Sequence, residues 1–346
     1  MIDCNFRENK IRSIMHTIDR KKFINKIFSL SSESEFEEAA MELFRAQSQH
    51  NRVYKKYLQL LGAGTSNIKG IMDIPCLPVS LFKTHRIIMD GKKSSLVFRS
   101  SGTGGDIPSR HHVHDPRLYQ ASFRNCFERF YGPPRDYCIL ALLPSYLERT
   151  DSSLVYMAGK LIEKSSHPES GFYLNNTGKL ARTIARLEKE ETNAILLGVS
   201  FALLELVEEH PFSVKTTRIM ETGGMKGRRK ELTREELHQI LRSNTGAKVI
   251  HSEYGMTEML SQAYSRGGGK FSSPPWMKVI IRDSYNPFSY LARGRSGGVN
   301  IIDLANMDSC AFLETSDMGR MLPEDKFEIL GRFDHSDIRG CNLLAE

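Results

Sequence analysis

The chain has 346 residues, of which 40% are apolar and 26% charged, with a formal net charge of +7. This is the balance of a globular protein with material for a full core, and no apolar run reaches membrane-spanning length. The basic residues are spread rather than gathered in blocks, which argues against nucleic acid as a partner and leaves an anionic small ligand such as a nucleotide. The opening MIDCNFRENKIRS has no apolar signal core, and none of the six cysteines forms a CxxC pair. A cytoplasmic protein with free thiols and no cysteine-built zinc site is therefore expected.

The first ninety residues read as mainly helical. Ser34 and Glu37 have the spacing of a capping box, and Phe36, Ala40, Leu43 and Phe44 then recur at helical intervals. A second helix is expected around Val53, Tyr57, Leu58 and Leu61, stopped by Gly62 and Gly64. Pro75 and Pro78 favour an extended chain entering the main domain. From Ser95 the pattern alternates. Short apolar runs suited to buried strands (SLVF, YCILALL, AILLGVS, TRIMET and AKVIHSEYG) are separated by helical stretches at residues 116–130, 153–163, 179–189, 201–208 and 233–241. That alternation predicts an α/β fold with a largely parallel sheet. After Pro275 the runs MKVIIRD, GGVNIID, CAFLET and KFEIL follow without helices between them, and a small antiparallel sheet or distorted barrel is expected. The predicted organisation is a helical segment over residues 1–90 packed on a main domain over residues 91–346, β-rich from about residue 276.

RSSGTGGDIPSRHH follows the apolar run at residues 96–98. Gly102, Gly104 and Gly105 permit backbone conformations that aim several N–H groups at one point, and Ser100, Ser101 and Thr103 add hydroxyl donors. Such a loop suits a phosphate chain, although it is neither a Walker loop nor GxGxxG, and a glycine-serine turn taken alone is more often a connector. HSEYGMTEM reads as strand, turn, then helix. Tyr254 offers a flat ring to a base, Thr257 a hydroxyl to a phosphate, and Glu258 a carboxylate to Mg²⁺, a hard ion that prefers such oxygens. In LETSDMGR, Asp317 lies between a strand and a glycine turn, where a carboxylate accepts hydrogen bonds from ribose hydroxyls. In GRFDHSDIRGC, Arg332 adds a fork of donors. Taken singly, each of these is also an ordinary turn or capping residue. His111 and His112 point apart if they lie on a strand, so the Arg110–Asp115 histidine run is no zinc set; contact with a phosphate or a substrate carboxylate is its expected use. Tyr146 is expected at the border of an acyl pocket, with Leu197, Val199 and Phe201 either lining it or packing the core.

In order along the chain, the serine/threonine/glycine loop, YGMTE, TSDMG and GRFD resemble the adenylate-forming superfamily of acyl-coenzyme A synthetases and adenylation domains. Within it, IPCLPVSLFKTH, FRSSGTGG, SRHH, LPSYLERTDSSLVYM, HSEYGMTEMLSQAYS and GRFDHSDIRGCNLL look most like the acyl-protein synthetases, the long-chain fatty acid–luciferin-component ligases, and their phenylacetate–coenzyme A ligase-like relatives. The resemblance spans about residues 74–344. It implies that superfamily's large N-terminal domain, ATP and Mg²⁺ as cofactors, a carboxylic-acid substrate, and an acyl-accepting reductase or carrier protein as partner. It also implies roles. Ser100, Ser101, Gly102, Thr103 and Gly105 look like the loop that holds the ATP phosphates. Glu221, Thr222, Gly223 and Gly224 resemble the strand end that flanks adenine. Tyr254 looks like the residue that stacks on the base, Thr257 like the α-phosphate contact, Glu258 like the Mg²⁺ ligand, and Asp317 and Arg332 like the ribose contacts. Two departures stand out. Gly104 replaces the usual threonine, and the sequence stops soon after GRFD, so the lid domain with its catalytic lysine is expected to be missing.

The reaction implied is formation of an acyl-adenylate followed by transfer of the acyl group to a thiol. Cys341 matches the cysteine near the C-terminus on which acyl-protein synthetases carry the acyl group, and His335 and Arg339 lie close enough in sequence to favour its thiolate. Cys76 reads as buried packing. Two other readings keep the fold: an acyltransferase that takes an acyl thioester without ATP, and a non-catalytic nucleotide-binding module that docks a partner enzyme.

Overall fold

The computed structural model describes residues 18–64, 67–101, 107–144, 151–174, 176–223 and 232–333. The N-terminal helices are α1 (Arg20–Phe28), α2 (Glu33–His50) and α3 (Arg52–Leu60). α1, which the residue pattern did not predict, is capped by Asp19, whose side chain accepts from the N–H of Lys22. α2 begins before the predicted capping box: Ser32 is its N-cap, and Glu35 bonds back to Ser31. The face Phe36, Ala39, Ala40, Leu43 and Phe44 is buried, and Gln47 beyond it donates to the carbonyls of Asn306 and Met307 at 3.1 Å each. The N-terminal helices are thereby fastened to a turn far along the chain.

After the short strand β1 (Leu77–Pro78) and the single-turn helix α4 (Leu81–Thr84), the strands β2 (Leu96–Arg99) and β3 (Arg110–Val113) form a separate antiparallel ribbon. The chain then alternates through α5 (Pro116–Tyr131), β4 (Cys138–Leu142), α6 (Ser153–Ser165), β5 (Gly171–Phe172), α7 (Thr177–Lys189), β6 (Ala194–Val199), α8 (Ser200–Glu209), β7 (Thr217–Thr222), α9 (Arg234–Thr245) and β8 (His251–Tyr254). Every predicted helix of this region is present. β4, β6, β7 and β8 are parallel neighbours, and β5 adds a further parallel edge. β4 and β6 are buried along their whole length, which is why they read as unbroken apolar runs; β8 is as fully buried but carries the polar HSEY.

The four strands expected after Pro275 are present and pair antiparallel in order, but they join the main sheet. β9 (Ala263–Ser265), β10 (Phe271–Ser272), β11 (Met277–Arg282), β12 (Ser296–Asp303), β13 (Phe312–Met321) and β14 (Phe327–Arg332) do not close into a separate small sheet. β9 and β10 bridge β8 to β14, so one large mixed sheet runs in the order β11-β12-β13-β14-β10-β9-β8-β7-β6-β4-β5, with β1 parallel to β13. Asp317 lies inside β13, opposite Arg332 on β14, rather than between a strand and a glycine turn. The ladder continues through TSDMG because the register shifts between Met318 and Gly319 and keeps both flanks paired.

Arg282 is buried on β11, where its guanidinium donates to the carbonyls of Val299 and Thr315 and to Asn300 Oδ1. Gly297 and Gly298 on β12 make room for it. A Cβ at position 297 would lie 2.2 Å from the Arg282 carbonyl oxygen, and one at 298 would lie 2.3 Å from the guanidinium carbon. Gly297→Ala is therefore expected to lower stability by about 3 kcal/mol, the scale of overpacking against backbone. The denaturant midpoint should fall with little change in m; an unchanged midpoint would show that the β11–β12 pair spreads freely.

Candidate active site

The phosphate-loop sequence is the tip of the β2–β3 ribbon. The register ends at Arg99 opposite Arg110, and Ser100 and Ser109 close the tip: Ser100 N–H donates to the Ser109 carbonyl at 3.1 Å, and Ser109 N–H donates to Ser100 Oγ at 2.9 Å. Ser101 is exposed just beyond. Gly102, Thr103, Gly104 and Gly105 lie outside the described residues, as do Tyr146, Gly224, His335, Arg339 and Cys341.

The segment after β8 does not form the predicted helix. It is a turn that returns antiparallel as β9, because side chains from distant elements fix its backbone. His111 Nδ1 meets the Thr257 carbonyl at 2.8 Å, Asn306 Nδ2 donates to the Glu258 carbonyl at 2.7 Å, and Asp303 Oδ2 accepts from the N–H groups of Leu260 and Ser261 at 2.8 and 3.0 Å. A helix would need these groups for itself. His111 therefore contacts backbone, not a phosphate or substrate carboxylate. It is fully buried, burial pushes its pKa down to about 4, and the neutral ring donates from Nδ1 because a carbonyl only accepts. His112 faces the other side of the strand and lies 3.4 Å from Ser94 Oγ, so the two rings do point apart.

With the turn so held, the sequence-selected side chains converge. Glu258 is 7% exposed, and the Ser109 side chain is near enough to favour its charged form. Burial pushes the Glu258 carboxyl up; Ser109, its own backbone N–H and the charge of Arg332 oppose that, and Asp317 adds to it. Asp317 is itself buried. Tyr254 Oη donates to its Oδ2 at 2.7 Å, and Arg332 Nε to its Oδ1 at 3.1 Å. The Arg332 side chain is 78% exposed, so this ion pair is screened and orients more than it stabilises. The ring of Tyr254 stands against Phe271 and Phe327, both centroids at 5.9 Å. Tyr254, Asp317 and Arg332 are thus hydrogen-bonded to one another, and Glu258 lies within electrostatic reach of Asp317, Arg332 and Ser109 at the ribbon tip.

The ends of the parallel strands lie beside it. Glu221 turns toward α9, with its Oε1 3.1 Å from Arg234 Nε and 3.4 Å from His238 Nε2. Burial works against its charge, yet His238 and Arg234 hold its carboxyl below the usual range. Thr222 points to the opposite face and donates to Glu253. Gly223 has a positive φ of 69°, its carbonyl accepts from Ser200 Oγ, and nothing lies within 4 Å of where its Cβ would be. Leu197, Val199 and Phe201 are fully packed core. Ser109, Asn306, Asp303 and Glu253 had no signal in the residue pattern, because each acts through a partner remote in sequence.

Several solved structures share the fold. An open conformation of 2-hydroxyisobutyryl-CoA ligase, in complex with 2-HIB-AMP and CoA, superposes with a TM-score of 0.63 at 13% identity over 87% of this chain and 71% of that one. ATP-bound MatB from Rhodopseudomonas palustris gives a TM-score of 0.52 at 16% identity over 70% of this chain and 49% of that one. The chain spans about half the length of the MatB structure. No curated protein matches it. The architecture is that of the N-terminal domain of adenylate-forming enzymes. Within that class the chain belongs to the acyl-protein synthetase family LuxE, whose sequence model matches residues 8–346.

Proposed function

We propose that the protein uses ATP to convert a carboxylic acid, most plainly a fatty acid, into an acyl-adenylate, and then passes the acyl group to the thiol of Cys341. The observation that carries the first step is the convergence on buried Glu258 of Ser109 at the ribbon tip and of the hydrogen-bonded Tyr254, Asp317 and Arg332. Ser100, Ser101, Gly102, Thr103 and Gly105 surround the phosphates in this reading. Thr222, Gly223 and Gly224 flank the base with Tyr254, Thr257 reaches the α-phosphate, and Asp317 with Arg332 takes the ribose. Tyr254 has a second use, since its hydroxyl sets the direction in which the Asp317 carboxylate presents its lone pairs.

Glu258 fits Mg²⁺ delivered with the nucleotide. Among the described residues no group of three or more His, Cys, Asp or Glu forms a self-sufficient metal site. One carboxylate beside a phosphate loop is the usual protein share for this ion, the phosphates supplying other ligands. The bound ion would offset the charge that develops on the phosphates.

In the first step an oxygen of the substrate carboxylate attacks the α-phosphorus, a new P–O bond forms, and the bond to pyrophosphate breaks. Positioning and charge neutralisation do most of this work, with little covalent help from the protein. Acid-dependent exchange of labelled pyrophosphate into ATP tests it across fatty, aryl and short acids. Exchange with any of them supports the proposal. No exchange, with direct labelling from acyl-coenzyme A, would replace it with a thioester-dependent acyltransferase.

A further inference from the structure

We infer that Glu253 is a positioning residue whose side chain ties the end of β7 to the Tyr254–Gly255 turn and makes glycine necessary at position 255. The inference rests on the reading that this turn serves the nucleotide. Glu253 lies directly opposite Thr222 in the parallel β7–β8 register, is 7% exposed, and accepts the Thr222 hydroxyl on Oε2. Its other oxygen lies against the turn: a Cβ built on Gly255 would sit 2.6 Å from Glu253 Oε1 and 3.5 Å from Gln262 Cγ.

Gly255 is not needed for its backbone conformation, since it is not among the glycines with positive φ. The room that a side chain would take is filled by the carboxyl. A flexible side chain would swing aside, but this one is buried and held by Thr222, so the crowding persists. Glu253 thereby sets how closely the turn approaches β7, and with it where the Tyr254 ring and the Glu258 carboxylate come to lie.

Among the described residues, the titratable groups around Glu253 are Glu221 on β7, Tyr119 and Cys126 on α5, and Tyr264 on β9, none of them a cation. Burial pushes its carboxyl up to about 7, Glu221 adds to this, and the Thr222 hydrogen bond opposes it. Glu221, one strand position away, is charged because Arg234 and His238 attend it. The two carboxyls do different jobs on opposite faces of the sheet.

The test is a cycle of Gly255→Ala, Glu253→Ala and the double variant, read both as KM for ATP in pyrophosphate exchange and as thermal midpoint. Gly255→Ala should raise KM by about tenfold with a smaller change in kcat. In the Glu253→Ala background the same alanine should add almost nothing, because the clash has lost its partner. Glu253→Gln should retain the wild-type KM. A carboxyl raised in the folded state stabilises below its unfolded pKa and loses that contribution as pH rises through its folded value. The wild type should therefore lose thermal midpoint relative to Glu253→Gln between about pH 4.5 and 7. Equal damage by Gly255→Ala in both backgrounds, or a Glu253→Gln variant as impaired as Glu253→Ala, overturns the inference. If the wild type exchanges with no acid, the adenylation reading fails. The thermal cycle still decides Glu253 in that case, non-additivity supporting the coupling and additivity removing it.

Discussion

Glu258→Gln will suppress acid-dependent pyrophosphate exchange by about 10²–10³-fold, the range seen when one preorganised electrostatic group is removed from an active site. The substitution keeps the shape of the side chain, and it leaves the Glu258 carbonyl free to accept from Asn306. What it removes is the negative charge. That charge is costly where it stands: burial and Asp317 both disfavour it, against Ser109, the residue's own backbone N–H and Arg332. A neutral isostere should therefore leave the denaturant midpoint unchanged or raise it. The combination of lost activity and retained or increased stability marks a group kept for function at a cost in stability. Exchange within about threefold of the wild type would remove Glu258 from the phosphate chemistry.

The parts of the molecule that the sequence made legible are those governed by neighbours in sequence. α5, α7 and α9 announce themselves by amphipathic spacing, and β4 and β6 by unbroken apolar runs buried on both faces. Failures came where distant residues decide. The helix expected after HSEYG does not form because His111, Asn306 and Asp303 have already taken the backbone groups it would use. The C-terminal antiparallel strands form as expected, but their continuity with the main sheet was not legible because it depends on β9 and β10, two short strands with weak patterns. The motif stretches did name Tyr254, Glu258, Asp317 and Arg332, which the fold brings together. They did not reveal that Tyr254 and Arg332 grip the two oxygens of Asp317, so that in the proposed reading a ribose would compete with or join an existing pair of bonds. Nor did they show that the ribbon tip brings Ser109 near Glu258, residues far apart in sequence.

Replacement of Cys341 by serine will abolish hydroxylamine-sensitive acyl labelling of the protein while leaving pyrophosphate exchange within about twofold of the wild type. The described cysteines give this prediction its weight. Cys76, Cys126, Cys138 and Cys310 are all buried. Burial pushes the Cys138 thiol up to about 11 and that of Cys310 up to about 12, and raises those of Cys76 and Cys126 as well. The thiolate is the attacking species, and a thiol at about 11 supplies about one thiolate in ten thousand at pH 7. None of the four is placed to take an acyl group from an adenylate at a useful rate, which leaves Cys4 and Cys341, both outside the described residues. In the proposed transfer step the sulfur would attack the acyl carbonyl, forming a C–S bond as the C–O bond to the phosphate breaks and AMP departs with the electron pair. Serine cannot substitute at neutral pH, because its hydroxyl is far weaker as an acid, and any ester it formed would resist hydroxylamine. Cys4→Ser should retain the label. If Cys341→Ser retains it and Cys4→Ser loses it, the acceptor is Cys4, and the C-terminal segment has no part in acyl transfer.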